Sequence, residues 1–221
     1  MTPSKPADIF LIAGGPKSKN TKTILAEVLA SCKKKAPDVA YIGTASDDNK
    51  VFFLMLKPII MAAGAGSVTL VPIVRRFDSD KTRNILLACD IVFISGGDVD
   101  MGMKYLHERK LVPFLKVLYD RGKLFCGISA GAIMLCRNWM HWRDPDDDDT
   151  AELLDCLGFA PLLCDVHAEE DNWVEMKRLL SFFPQGTAGY GIPAEGALRV
   201  APNGKITSIG CAPVRFIKKG R

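Results

Sequence analysis

A chain of 221 residues with 48% hydrophobic and 24% charged side chains carries enough apolar material for a sizeable core, which excludes intrinsic disorder. Lys and Arg number 29 against 25 Asp and Glu, and the formal charge of +4 is spread thinly apart from Lys33-Lys34-Lys35 and Lys218-Lys219. That excludes the basic stripe of a nucleic-acid binder. No apolar stretch approaches the ~20 residues of a membrane span.

In chain order, the apolar run at 8–13, closed by Gly14-Gly15-Pro16, predicts a strand buried on both faces. Ile24, Leu25, Val28, Leu29 and Cys32 share one helical face, and Pro37 ends that helix. The alternation continues with a strand at 39–42, a helix at 51–63, a strand at 67–73, a helix at 81–88 and a strand at 91–95. Two helical stretches follow at 101–109 and 112–120, then a strand at 123–126, and from Ser129 a helical run to Cys136. An acidic run at 144–149 marks an exposed loop. The last third predicts a short strand at 162–164, a helix at 173–180, and a hairpin formed by 197–200 and 206–209 around Pro202-Asn203-Gly204. The expected fold is therefore α/β, a mostly parallel sheet with helices on both faces and a C-terminal β-hairpin, in one domain spanning 1–221.

The seven cysteines are odd in number and contain no C-x-x-C pair, so they read as reduced, mostly buried small hydrophobes. Cys164 and His167 form a C-x-x-H without further ligands at zinc spacing, and no metal is expected. The run at 9–13 is too short for the apolar segment of a secretory signal, which sets the expectation of a cytoplasmic protein. Lys17-Ser18 is not a phosphate loop, because Pro16 stands where glycine must precede the lysine.

In open α/β sheets ligands bind beyond the carboxyl ends of the strands. There, Gly127-Ile128-Ser129-Ala130-Gly131 lies between the strand 124–126 and a helical run, the context a nucleophile elbow requires. Small residues two before and two after the serine let the chain turn tightly and project the hydroxyl into the crevice. The Ala130 N–H would face a developing oxyanion, with Gly97 as a second donor. A serine needs a base, and of three histidines His107 sits in a charged helical stretch and His141 between two tryptophans near the acidic loop. His167, after an apolar strand, is placed at the same sheet edge as Ser129. The carboxylate that would orient it stays open among Glu195, Asp144 and Asp165.

With these residues in hand the sequence resembles the dipeptidase E and cyanophycinase family of serine peptidases, whose fold is similar to class I glutamine amidotransferases. The resemblance runs from Ile12-Ala13-Gly14-Gly15 through Ser95-Gly96-Gly97-Asp98 and Gly127-Ile128-Ser129-Ala130-Gly131-Ala132. It continues to Asp165-Val166-His167, Arg178-Leu179 and Gly191-Ile192-Pro193-Ala194-Glu195-Gly196. It implies Ser129 as nucleophile, His167 as base, Gly97 and Ala130 as the oxyanion hole, and Glu195 as the acid, with Asp144 as the alternative. It implies no cofactor and a small peptide as the partner, with homodimerisation left open. Members of the family carry arginines after the histidine, where this chain has Glu169, Glu170, Asp171 and Glu175 and matches only at Arg178. A guanidinium binds a carboxylate in two-pronged fashion, so the replacement argues against a preference for aspartyl peptides. A non-catalytic member of the same fold is the rival reading.

Overall fold

Side chains alternate across a strand, and in this chain both faces of the sheet are covered by helices. The computed structural model describes residues 5–14, 18–144 and 146–220. In β1 (Ile9–Ile12), Ile9 and Leu11 pack to one side, and Phe10 and Ile12 to the other. The same division runs through β2 (Asp38–Ile42), β3 (Ser67–Val71), β4 (Ile91–Ile94) and β5 (Leu124–Ile128), which lie parallel in the order β1-β5-β4-β2-β3. The Phe10 and Ile12 side is covered by α1 (Thr21–Ala30) and α2 (Lys50–Ala62) through Ile24, Leu25, Val28 and Ile60. The Ile9 and Leu11 side is covered by α3 (Ser79–Ala88), α4 (Val99–Glu108), α5 (Val112–Asp120) and α6 (Ala130–Leu135) through Leu86, Met103, Leu115 and Met134.

The predicted hairpin is present. Its strands Gly196–Val200 (β10) and Ile206–Gly210 (β11) pair antiparallel and extend the sheet beyond β1, giving seven strands. Gly15 and Pro16 of the turn expected after β1, and Lys17 of the pair rejected as a phosphate loop, lie outside the described residues, as does Pro145 of the acidic run.

Two additions were not anticipated. Strands β6 (Asn138–Trp142) and β7 (Ala151–Asp155) pair antiparallel, so the acidic run is the loop of a hairpin. A separate three-stranded sheet contains β8 (Leu163–Val166), β9 (Ala188–Ile192) and β12 (Val214–Ile217). β8 therefore does not join the main sheet. It reaches the elbow because α6 packs on it, with Ala160 N–H donating to Leu135 O at 2.9 Å and Arg137 N–H to Leu162 O at 3.1 Å. Strand β9 reads Ala-Gly-Tyr-Gly-Ile, a poor strand by propensity. Its Gly191 is imposed by packing: a Cβ there would lie 2.6 Å from the Trp173 ring. Trp173 precedes α7 (Val174–Ser181), which packs on β8 and β9. Among the described residues no helix is long and apolar enough to cross a membrane.

Candidate active site

Strand β5 is hydrogen-bonded on both sides, to β1 and to β4, and ends in the main sheet's interior. Ser129 follows it directly, with its N–H donating to Ile12 O at 2.9 Å. Its backbone is bent to φ 53° and ψ −126°, a region L-residues avoid at a cost of about 1–3 kcal/mol. The flanking glycines make the turn possible. A Cβ at Gly131 would lie 2.1 Å from Ile94 O, and one at Gly127 would lie 2.2 Å from Gly131 O. Gly131→Ala is accordingly expected to destabilise the fold by on the order of 3 kcal/mol, read as a lowered urea midpoint. An unchanged midpoint would contradict this account of the elbow.

The base candidate comes from the other sheet. His167 follows β8, takes φ 44°, and donates its N–H to Ile192 O at 2.9 Å. Its Nε2 lies 2.8 Å from Ser129 Oγ. The turn after β4 supplies the third component. Gly97 has φ +140°, and a Cβ there would lie 1.8 Å from Ala45 O, so no other residue fits. Asp98 fixes this turn: its N–H donates to Ala45 O at 2.7 Å, and its Oδ1 accepts from Met101 N–H at 2.7 Å. Gly97, Ala130, Ser129 and His167 all line one open pocket of about 460 Å³, a volume ordinary for a small-ligand site. Among the described residues neither the Gly97 nor the Ala130 N–H is used in the loop hydrogen bonds that frame the turn.

Two of the three candidate acids, Glu195 and Asp144, are committed elsewhere. Glu195, on the turn after β9, accepts from Lys19 N–H and Asn20 N–H at 2.9 Å each and from Ser18 Oγ at 3.2 Å. The donated backbone N–H of Lys19 is the main cause holding its carboxyl below the usual glutamate range. Asp144 lies in the β6–β7 loop, where its Oδ1 accepts from Asp146 N–H at 3.0 Å. Among the described residues no carboxylate lies within ion-pair distance of the His167 ring. The C-x-x-H pair also separates: Cys164 is fully buried with its Sγ 3.2 Å from Cys136 Sγ, while His167 faces Ser129.

The remaining wall of the pocket holds the third candidate acid, Asp165, and residues of β6, a strand the sequence did not predict. Asp165 lines it and is 3% exposed; its Oδ1 accepts from Val166 N–H at 2.8 Å, and its buried Oδ2 has no hydrogen-bond partner among the described residues. Burial pushes its carboxyl from an ordinary 3.8 up to about 7, with Glu175 and Asp171 adding to the shift. Trp139, His141 and Trp142 reach the same pocket from β6. His141 sits between Asp100 at 3.6 Å and Glu152 at 3.5 Å. The available signal was the aromatic, β-prone stretch Asn-Trp-Met-His-Trp.

A serine on a strained strand-to-helix turn with an imidazole nitrogen against its hydroxyl is arranged for acyl transfer, and the class this fold and site define is the α/β serine-type peptidases. The chain belongs to peptidase family S51, the dipeptidase E and cyanophycinase family, whose profile matches residues 9–208. Among solved structures it is similar to a peptidase from an acI-B1 Actinobacterium, with 18% identity and a TM-score of 0.69 over 99% of this chain and 93% of that one. It is also similar to a Listeria monocytogenes EGD-e protein assigned as a peptidase E, with 16% identity and a TM-score of 0.71 over 94% of this chain and 100% of that one. At these identities the likeness establishes the fold. No curated protein gives a significant match.

Proposed function

We propose that the chain hydrolyses an amide bond in a short peptide, with Ser129 as nucleophile, His167 as general base, and the Gly97 and Ala130 N–H groups as oxyanion donors. The observation that carries this reading is the 2.8 Å approach of Ser129 Oγ to His167 Nε2. For Nε2 to accept, the neutral ring carries its proton on Nδ1. As Oγ attacks the carbonyl carbon, Nε2 takes the hydroxyl proton and the carbonyl oxygen becomes an oxyanion. Collapse of the tetrahedral adduct breaks the C–N bond, and the same proton passes to the departing amine. Water then repeats the sequence on the acyl ester, releasing the acid and restoring Ser129. No metal or organic cofactor enters these steps.

Glu195 acts in this reading as a positioning residue. It fastens residues 18–20 to the turn after β9, and that strand's last residue, Ile192, receives the His167 N–H. The Ala194 N–H donates to Glu169 Oε1 at 2.8 Å, stitching the two turns together a second time. Glu195→Gln is expected to lower kcat by about ten- to a hundredfold through misplacement of the ring, whereas Asp144→Asn stays near the parent rate. Equal residual rates would remove Glu195 from this role.

The direct test is a fluorophosphonate probe followed by mass spectrometry of the adduct. Labelling at Ser129 of the folded protein is expected, and none would reduce the chain to a binding member of its family. The setting we infer is the cytoplasm, supported by seven free cysteines, among them the unbonded pair Cys136 and Cys164.

A further inference from the structure

The pocket that holds Ser129 and His167 is acidic. Asp98, Asp100, Asp165, Asp171 and Glu175 line it, and no lysine or arginine does among the described residues. Two of these carboxylates are committed to the fold, Asp98 to the start of α4 and Asp100 to His141. The other three stand on the His167 side. Asp171 and Glu175 are exposed at the rim, and Asp165 is buried within. Asp171 Oδ1 accepts from Trp173 N–H at 3.0 Å, which fixes its side chain. Asp165 is the independent observation: its Oδ2 is buried without a full hydrogen bond among the described residues, the backbone N–H of Met176 at the start of α7 offsets that burial only in part, and an under-satisfied buried carboxylate is costly. Arg178, the arginine this chain keeps from its family's pattern, does not line the pocket. Its Nη2 lies 3.6 Å from Asp149 of the β6–β7 loop.

The chemistry of what fits follows from the walls. The described residues contain no group of His, Cys, Asp and Glu side chains converging as a metal ion would need. Trp139, mostly buried, and the half-buried Trp142 line the same pocket, and aromatic surface suits the methylene stem of a long side chain and attracts a cationic head.

We propose that this pocket selects short peptides bearing a lysyl or arginyl side chain next to the scissile bond, with Asp165, Asp171 and Glu175 as the specificity-determining residues. The inference rests on the pocket being the peptide site. It inverts the expectation for a family member that has arginines in the stretch 169–177. A cation entering would also let Asp165 ionise at neutral pH, recovering what burial costs it.

The test separates recognition from turnover. Ser129→Ala protein is titrated calorimetrically with dipeptides of alanine and lysine, in both orders, and with the same pairs carrying norleucine or aspartate in place of lysine. Norleucine keeps the stem and removes the charge. Lysine is expected to bind about ten- to a hundredfold more tightly than norleucine in one of the two orders, with aspartate weakest. Glu175→Gln in the same background is expected to shrink the lysine-to-norleucine ratio, and Glu175→Arg, at an exposed position, to invert the order of lysine and aspartate. Equal affinities for lysine and norleucine in both orders, or tightest binding of aspartate, would overturn the proposal. Labelling of Ser129 in the parent protein reports on the hydrolase reading separately, so either can fail while the other stands.

Discussion

Replacing Ser129 with alanine is expected to lower kcat/KM on a cleaved peptide by about 10⁴- to 10⁶-fold, and His167→Ala to do nearly the same. The reason is mutual dependence. Ser129 Oγ is a weak nucleophile until His167 Nε2, 2.8 Å away, accepts its proton, and the imidazole has no role without the hydroxyl. The double variant should therefore be no slower than the worse single one. If the two losses multiply instead, the residues act independently and the acyl-enzyme scheme is wrong. A second replacement at the same position isolates the backbone. Ser129 holds φ 53° and ψ −126°, strain that alanine keeps and glycine relieves. Ser129→Gly is expected to be more stable than Ser129→Ala by about 1–3 kcal/mol, although both are inactive. Equal denaturation midpoints for the two would show that the elbow stores no strain.

The elbow was legible in the sequence because a buried strand before a short helix gives a recognisable local pattern and Gly127 is dictated by Gly131 four residues on, although Gly131 itself is required by Ile94 O of the neighbouring strand β4. The parallel strands were legible for a similar reason, since burial on both faces leaves unbroken apolar runs such as Ile9-Phe10-Leu11-Ile12. His167 was reachable by elimination, but its placement was not. It belongs to a second sheet, and what carries it to Ser129 is the packing of α6 on β8, which no short-range pattern encodes. Strand β9 was hidden by Gly189 and Gly191, which exist to admit Met176 and Trp173 from across the layer. The partners of Glu195 were equally invisible. Its carboxylate meets backbone N–H groups of residues 19 and 20, a pairing set by where two distant turns converge.

Asp165→Asn is expected to change the pH dependence of stability in a way that a purely packing role would not. The folded-state carboxyl titrates near 7 against an ordinary 3.8, mainly because burial disfavours its charge. Between these values the native protein holds a proton that the unfolded chain releases, so stability falls as pH rises through the window from about 4 to about 7. Below it the group contributes no penalty. Above it the full cost is present, on the order of 4 kcal/mol for a carboxyl displaced this far. Asparagine removes the titration. Its Oδ1 can still accept from the Val166 N–H, while its amide group enters the place where Oδ2 has no partner among the described residues, at a cost that does not depend on pH. Glu175, itself raised by desolvation and by Asp171, adds to the Asp165 shift; replacing Asp165 relieves that repulsion at high pH, which acts in the same direction. The quantity to measure is the difference in melting temperature between Asp165→Asn and the parent at pH 5 and at pH 8. That difference should move in the variant's favour by on the order of 10 °C between the two pH values. The same difference at both would mean that Asp165 ionises in the folded protein as it does in water, and its carboxylate would then have a counter-charge in the pocket.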